Sequence, residues 1–138
     1  MYTILAPLDN DVDRATNQRE FISELPSDPA DVRIVLTHIL EAAEREAPES
    51  MQRPDRVQTV KDVKAALEAE GYDVDVVEAS TPPAEGILDL TNEVDSDLVV
   101  MGGRKRSPAG KALFGSVTQS VILDSEVPVV VAGDESRE

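Results

Sequence analysis

The sequence contains no cysteine and no tryptophan, and its 138 residues include a single histidine, His38. Without cysteine the chain can form neither a disulfide framework nor a thiolate zinc site, and one histidine leaves little for a histidine-based metal cluster. Redox and zinc chemistry are therefore largely excluded, and no protein metal site is predicted. Since His38 lies at the end of an apolar run, we interpret it as a packed residue rather than a ligand or a base.

Long apolar runs are also missing. No stretch approaches the ~18 consecutive apolar residues of a membrane span, and the N-terminus, Met1–Asp9, has no basic leader. We therefore expect a soluble, cytoplasmic protein that makes no membrane contact. A chain of this length is the size of one domain, so we predict a single domain over residues 1–138 that buries its core without disulfides or metal.

Positive charge is scarce in this chain. There are 28 aspartates and glutamates against 13 lysines and arginines, which gives a formal net charge of −15, and only four of the basic residues are lysines. Such a surface should repel nucleic acid, so no nucleic-acid partner is expected. The composition favours a halophilic protein in a cytoplasm at very high salt, where self-repulsion is screened, although simple solubility would also account for it.

Five short apolar runs rich in β-branched residues alternate with segments of helical pattern. This alternation predicts an α/β domain with a mostly parallel sheet. Three of the runs contain nearly continuous apolar stretches, as expected for strands that are covered on both faces. The predicted strands are Tyr2–Leu8, Val32–Leu40, Tyr72–Ala79, Asp97–Met101 and Val127–Ala132.

The segments between the strands predict four helices. The clearest pattern runs from Val57 to Leu67, and Gly71 stands where a left-handed residue would end that helix. Ser80 and Thr81 offer capping hydroxyls to a later helix. A first helix is predicted around 13–25, with only a partial apolar face, and a last helix from near Ser116, carrying Val117, Val121 and Ile122. Residues 41–55 are predicted to form a long surface excursion.

The segment 101–117 concentrates glycines and positive charge between a predicted buried strand and a predicted helix. Glycines let a backbone approach an anion closely, and the first amides of a helix point toward whatever lies before it. Four of the thirteen basic residues fall within eight positions, namely Arg104, Lys105, Arg106 and Lys111. This local reversal of charge favours an anionic partner, although a solvated turn or a dimer contact with an acidic surface would also accommodate it.

Two common phosphate-binding motifs are absent at the required spacing. A P-loop ending at Gly110-Lys111 would need glycine at position 105 and serine or threonine at position 112, where the chain has Lys105 and Ala112. A dinucleotide fingerprint would need a glycine-rich turn after the first strand, where the chain has Pro7-Leu8-Asp9-Asn10.

The strand ending in Met101-Gly102, the basic loop and the helix opening with Gly115-Ser116-Val117 together resemble the universal stress proteins. The nucleotide-binding pattern of that family is G-x2-G-x9-G-[ST]. Gly102, Gly115 and Ser116 match it, while Lys105 occupies the position of the second glycine. A lysine there could add a phosphate contact, or it could crowd the site. The opening Ile4–Asp9 and the closing Pro128–Val131 also look like the family's first and last strands.

The resemblance implies a three-layer sandwich of the adenine nucleotide alpha hydrolase-like type, with a five-stranded parallel sheet in the order 3-2-1-4-5. The ligand would be ATP, with or without Mg²⁺, in the crevice between strands one and four. Asp9 and Gly102 lie just past the carboxyl ends of those strands. The resemblance also implies a homodimer through the C-terminal strand and a regulatory role in stress response toward an unknown protein partner. The implied binding residues are Pro7, Asp9, Ile39, Met101, Gly102, Lys105, Gly115, Ser116 and Val117.

Three alternatives remain open from the residues. Asp9 could simply cap the first helix or order a turn, or it could join Asp11 in binding Mg²⁺ beside a nucleotide. The protein could be a non-nucleotide-binding dimerisation or interaction module, which Lys105 would favour. An adenylate reaction ranks last because no nucleophile and base are paired by sequence logic, so no catalytic residue and no enzymatic activity are predicted.

Overall fold

Strands and helices alternate through the part of the chain that the computed structural model describes, residues 1–40, 53–103 and 115–133. Short 3-10 turns at Pro29–Asp31 and Pro54–Arg56 precede the second strand and the second helix. The strands are β1 (Tyr2–Leu8), β2 (Val32–His38), β3 (Asp73–Val76), β4 (Leu98–Gly102) and β5 (Val129–Ala132), and the helices are α1 (Val12–Ser23), α2 (Gln58–Ala69), α3 (Pro83–Glu93) and α4 (Ser116–Asp124).

The sheet is parallel and five-stranded, in the order β3-β2-β1-β4-β5, which confirms the predicted topology. β1 pairs with β2 along its whole length, from Tyr2↔Val32 to Leu8↔His38. With β4 it pairs only at Ile4↔Leu98 and Leu5↔Val99. The carboxyl-terminal halves of β1 and β4 are therefore not joined by backbone pairing, and this is the point at which the strand order reverses.

Helices cover both faces of the sheet, as the continuous apolar runs predict. On one face, α1 and α2 bury Ile22, Val60 and Leu67 against β1 and β2. On the other face, α3 and α4 bury Ile87, Leu90 and Val121 in a second cluster. The result is a three-layer sandwich. None of the helices in the described ranges combines the length and the apolar character needed to cross a lipid bilayer.

Several local predictions need correction. β3 is shorter than Tyr72–Ala79, and β5 begins at Val129 rather than at Val127. α3 is preceded by Pro82, and no side chain caps it, so the hydroxyls of Ser80 and Thr81 do not act as predicted. Ile122 is 38% exposed, because α4 turns Thr118 and Val121 toward the sheet instead. Most of the predicted excursion, residues 41–52, lies outside the described residues.

Candidate functional site

A cleft opens past the carboxyl ends of β1 and β4, where the two strands stop pairing. Its volume is about 260 Å³, slightly below the ~300–1,000 Å³ that small-molecule sites span, so a ligand bound there would remain partly in solvent. The cleft is lined by Asp9, Arg14, Ile39, Gly102, Gly115, Ser116, Val117 and Thr118.

The structure brings most of the predicted binding residues to this cleft, but not all of them. Six line it: Asp9, Ile39, Gly102, Gly115, Ser116 and Val117. Met101 is fully buried in the core beneath α3 and α4, because alternate residues of β4 face opposite sides of the sheet. Pro7 is buried as well, and its carbonyl accepts a hydrogen bond from α1. Lys105 lies outside the described residues.

Both carboxylate oxygens of Asp9 already accept hydrogen bonds. Oδ1 accepts from the backbone N–H of Asp11 at 2.9 Å, and Oδ2 accepts from Nε of Arg14 at 2.8 Å. The cap of α1 is Asp11, whose Oδ1 accepts from the N–H of Arg14 at 2.9 Å. Asp9 therefore orders the turn before α1 and is not the cap of this helix. Its side chain is still 22% exposed toward the cleft.

The backbone carbonyl groups of Pro7, Leu8 and Asp9, which lead into the turn before α1, all accept hydrogen bonds from other parts of the chain. Hydrogen bonds of this kind fix a backbone that would otherwise be mobile, so Asp9 is positioned before any ligand arrives. The carbonyl of Pro7 accepts from Nε2 of Gln18 at 2.8 Å, that of Leu8 from the N–H of Ile39 at 2.8 Å and from Nδ1 of His38 at 2.9 Å, and that of Asp9 from the hydroxyl of Thr59 at 2.7 Å.

His38 is a packed residue in this arrangement. The residue is 6% exposed, and its Nδ1 donates to the carbonyl of Leu8 because a carbonyl oxygen can only accept. The structure thus confirms that His38 is packed, as the sequence predicts.

Gln18 fills the gap between the unpaired ends of β1 and β4. Its side chain is on α1 and is 1% exposed. The amide group donates to the carbonyl of Pro7 at 2.8 Å and to the carbonyl of Val100 at 2.9 Å. These are carbonyls of the two strands that diverge, so one side chain replaces the strand-to-strand hydrogen bonds that are missing there.

Gly102 lies directly beneath α1. A Cβ atom built on it would be 3.0 Å from Oε1 of Gln18 and 3.1 Å from Cβ of Arg14. Both distances are tighter than ordinary van der Waals contact, so a side chain at 102 would push α1 away from the cleft floor. The glycine thus brings the end of β4, Arg14 and Gln18 close together.

The other wall of the cleft is the start of α4. Gly115 precedes the helix with φ −69° and ψ 163°, and no side chain within the described residues caps the helix. Ser116 is its first residue and is exposed. The first backbone N–H groups of a helix have no partner within the helix and carry its positive dipole end, so this wall is suited to an anion.

Comparison with known proteins agrees with this geometry. The model of the universal stress protein family matches residues 1–133. The chain belongs to the universal stress protein family. Among the curated relatives, stress response protein NhaX of Bacillus subtilis is 33% identical over 86 residues, and a universal stress protein of Mycolicibacterium smegmatis is 35% identical over 72 residues. These matches span 62% and 51% of this chain but about half of the relatives, 52% and 55% of their lengths.

Solved universal stress protein structures share the fold over almost the whole chain. A structure from Archaeoglobus fulgidus has a TM-score of 0.75 and 28% identity, covering 95% of this chain and 98% of that one. A structure of the A. fulgidus protein in complex with dAMP has a TM-score of 0.70 and 22% identity, covering 95% and 97%. A family protein of Arabidopsis thaliana with AMP bound has a TM-score of 0.69 and 13% identity, covering 99% and 94%.

Arg14 and Gln18 were not predicted as site residues of this universal stress protein. A signal for them exists in the sequence. The buried positions of α1 are Ala15, Gln18 and Ile22, so Gln18 is a polar residue on an otherwise apolar stripe. Its presence explains why the apolar face of the first helix looked only partial. Arg14 lies one turn before Gln18, in the first turn of the helix that follows the β1 strand.

No cluster that could hold a metal ion is present among the residues the structure describes. Asp9 and Asp11, the pair considered for Mg²⁺, both lie beside Arg14: the nitrogen–oxygen distances are 2.8 Å to Asp9 and 3.7 Å to Asp11. A cation so close would oppose a metal at these two carboxylates.

Proposed function

We propose that the chain binds an adenine nucleotide, specifically ATP, in the cleft between β1, β4 and α4. The observation that carries the proposal is the cleft itself: an ordered carboxylate, Asp9, faces the start of α4 at Gly115, which no described side chain caps, across the switch point of the sheet. Related structures of this fold that hold dAMP and AMP support the choice of an adenine nucleotide.

The residues divide between the two ends of a nucleotide. Asp9, an acceptor, suits the hydroxyl groups of a ribose, and Ile39 offers an apolar contact for the adenine ring. The first amides of α4 and the hydroxyl of Ser116 suit phosphate oxygens. We expect Lys105 to add a charge-assisted contact to the same phosphates, with Mg²⁺ as an optional companion of the nucleotide.

We place the function in binding rather than in catalysis. Among the described residues of the cleft, no nucleophile is hydrogen-bonded to a base, and the histidine donates to the Leu8 carbonyl from a buried position. Nucleotide occupancy would then set which protein partner the chain engages in a cytoplasmic stress response.

We also propose a homodimer through β5. Within the described residues β5 pairs only with β4, so its other edge is available to a second copy. A groove of about 310 Å³ runs along this strand beside α1 and is lined in part by Phe21 and Val130. Sedimentation velocity that finds only monomers at micromolar concentration would contradict this proposal.

Replacing Gly115 with valine should abolish nucleotide binding and leave the fold intact. The backbone angles at Gly115 are ones that valine adopts readily, so no strain is expected, whereas the added side chain would narrow the cleft at the helix start. The test is calorimetric titration of ATP in molar potassium chloride, which screens the charge of −15.

Gly133→Val is the matched control for this titration. A Cβ at Gly133 would meet nothing within 4 Å, so the control should bind ATP as the unmodified protein does. Unchanged affinity in the Gly115→Val variant would remove the start of α4 from the site. Failure of the unmodified protein to bind ATP would favour the alternative, an interaction module that binds no nucleotide.

A further inference from the structure

Arg14 connects the two sides of the cleft floor. Its aliphatic stem lies over Gly102 at the end of β4, with Cβ and Cδ at 3.1 and 3.4 Å from the position of a Cβ there. Its Nε donates to Asp9 at the end of β1 at 2.8 Å. The side chain is 29% exposed and lines the cleft, so the guanidinium group can be reached by a ligand.

We propose that Arg14 makes the cleft selective for phosphorylated adenosine over adenosine. On binding, the guanidinium of Arg14 contacts a phosphate of the nucleotide and loosens its hold on Asp9, whose carboxylate then accepts from the sugar hydroxyls. This inference rests on the nucleotide-binding function proposed above.

The donors of Arg14 are only partly used. A guanidinium group has five N–H donors, and Asp9 takes the one on Nε. The Nη2 nitrogen is 3.7 Å from Oδ2 of Asp11, which is beyond hydrogen-bonding distance. Arginine is suited to phosphate because several parallel donors can meet its oxygens at once, so the outer nitrogens can serve a ligand.

The negative charge around the cleft is the second reason to assign phosphate recognition to Arg14. Asp9 and Asp11 both stand at this end of the sheet in a strongly acidic chain, and an incoming phosphate would be repelled by both. Arg14 is the cation among the described lining residues, and it contacts or approaches both carboxylates. Its removal should therefore weaken binding more strongly as the number of phosphate charges on the ligand increases.

The test compares adenosine, AMP and ATP by calorimetric titration against the unmodified protein and Arg14→Gln. We expect adenosine affinity to change by less than about 3-fold, while AMP affinity falls roughly 10-fold and ATP affinity falls further, as for the loss of a charged hydrogen bond. Arg14→Lys retains the charge and should recover part of the loss. It also serves as the second variant if Arg14→Gln fails to fold, which its thermal unfolding curve would show.

Arg19→Gln is the matched control. Arg19 is also on α1, has a similarly exposed side chain (27%) and pairs with Glu20 and Glu70 outside the cleft. Arg19→Gln removes one positive charge, as Arg14→Gln does. It should leave all three affinities unchanged.

The two claims fail in different ways. An equal loss for adenosine, AMP and ATP in Arg14→Gln would mean that Arg14 only supports the fold of the Asp9 turn, and no loss would mean that it plays no part in binding. Either result would overturn the inference while nucleotide binding stands. If the unmodified protein binds none of the three ligands, both the selectivity and the proposed function are wrong.

Discussion

Replacing Gly86 with alanine should lower the free energy of unfolding by ~3 kcal/mol or more, the upper range for overpacking a buried site. A Cβ at Gly86 would overlap the carbonyl oxygen of Ser80 and lie 2.7 Å from its carbonyl carbon. Both are backbone atoms, so relief requires moving the segment before α3 away from the helix. Intrinsic helix propensity favours alanine by about 1 kcal/mol, which is too little to offset such a clash.

Urea denaturation at high potassium chloride would measure this effect, with Gly133→Ala as the control. Gly133 has open space where its Cβ would stand, so alanine there should change the free energy of unfolding by less than about 0.5 kcal/mol. A Gly86→Ala protein as stable as the unmodified chain would show that Ser80 and α3 do not approach as closely as described.

Replacing Gln18 with leucine should destabilise the protein by about 2–4 kcal/mol, because two buried carbonyls lose their donor at once and each such loss costs about 1–3 kcal/mol. Those carbonyls belong to Pro7 and Val100, and Gln18 is 1% exposed, so water has little access to replace it. Leucine fills the space with an apolar side chain, so the lost hydrogen bonds are the main change. Gln18→Glu should be worse, because a carboxylate would face two carbonyl oxygens.

Gln18→Leu should also weaken nucleotide binding, since Gln18 holds together the ends of β1 and β4 that form the cleft floor. Gln119→Leu on the exposed side of α4 is the control and should be close to neutral in stability. Urea denaturation and ATP titration of both variants measure the two effects. Stability of Gln18→Leu within about 0.5 kcal/mol of the unmodified protein would contradict the bridging role.

The sheet could be predicted because its signals are local. Apolar β-branched runs identified all five strands, with errors only at the ends, and Gly71 adopts the expected positive φ of 99° after α2. The strand order came from the family resemblance and not from the runs themselves. β3 ends at Val76 although apolar residues continue to Ala79, and β5 begins at Val129 although the apolar run begins at Val127, because pairing depends on the neighbouring strand as well as on composition.

Only those residues of the site that belong to a motif of fixed spacing could be predicted from the sequence. Gly102, Gly115 and Ser116 follow from a motif with fixed spacing, and the structure places them around one cleft. The roles of Arg14 and Gln18 depend on contacts with β4, which is distant in sequence. Gln18 and Val100, for example, are hydrogen-bonded although 82 positions separate them. No local pattern encodes such contacts. Met101, which the family resemblance implies as a binding residue, adjoins Gly102 in the sequence, but its position in the strand turns it into the core.

The most direct test of nucleotide binding is mass spectrometry of the small molecules released when the purified protein is heated. The account predicts that ATP or AMP is recovered in near-stoichiometric amount, or that an empty preparation takes up ATP in molar potassium chloride. A protein that releases no nucleotide and also ignores added ATP would contradict the account, and the cleft at the end of β1 and β4 would then need another explanation.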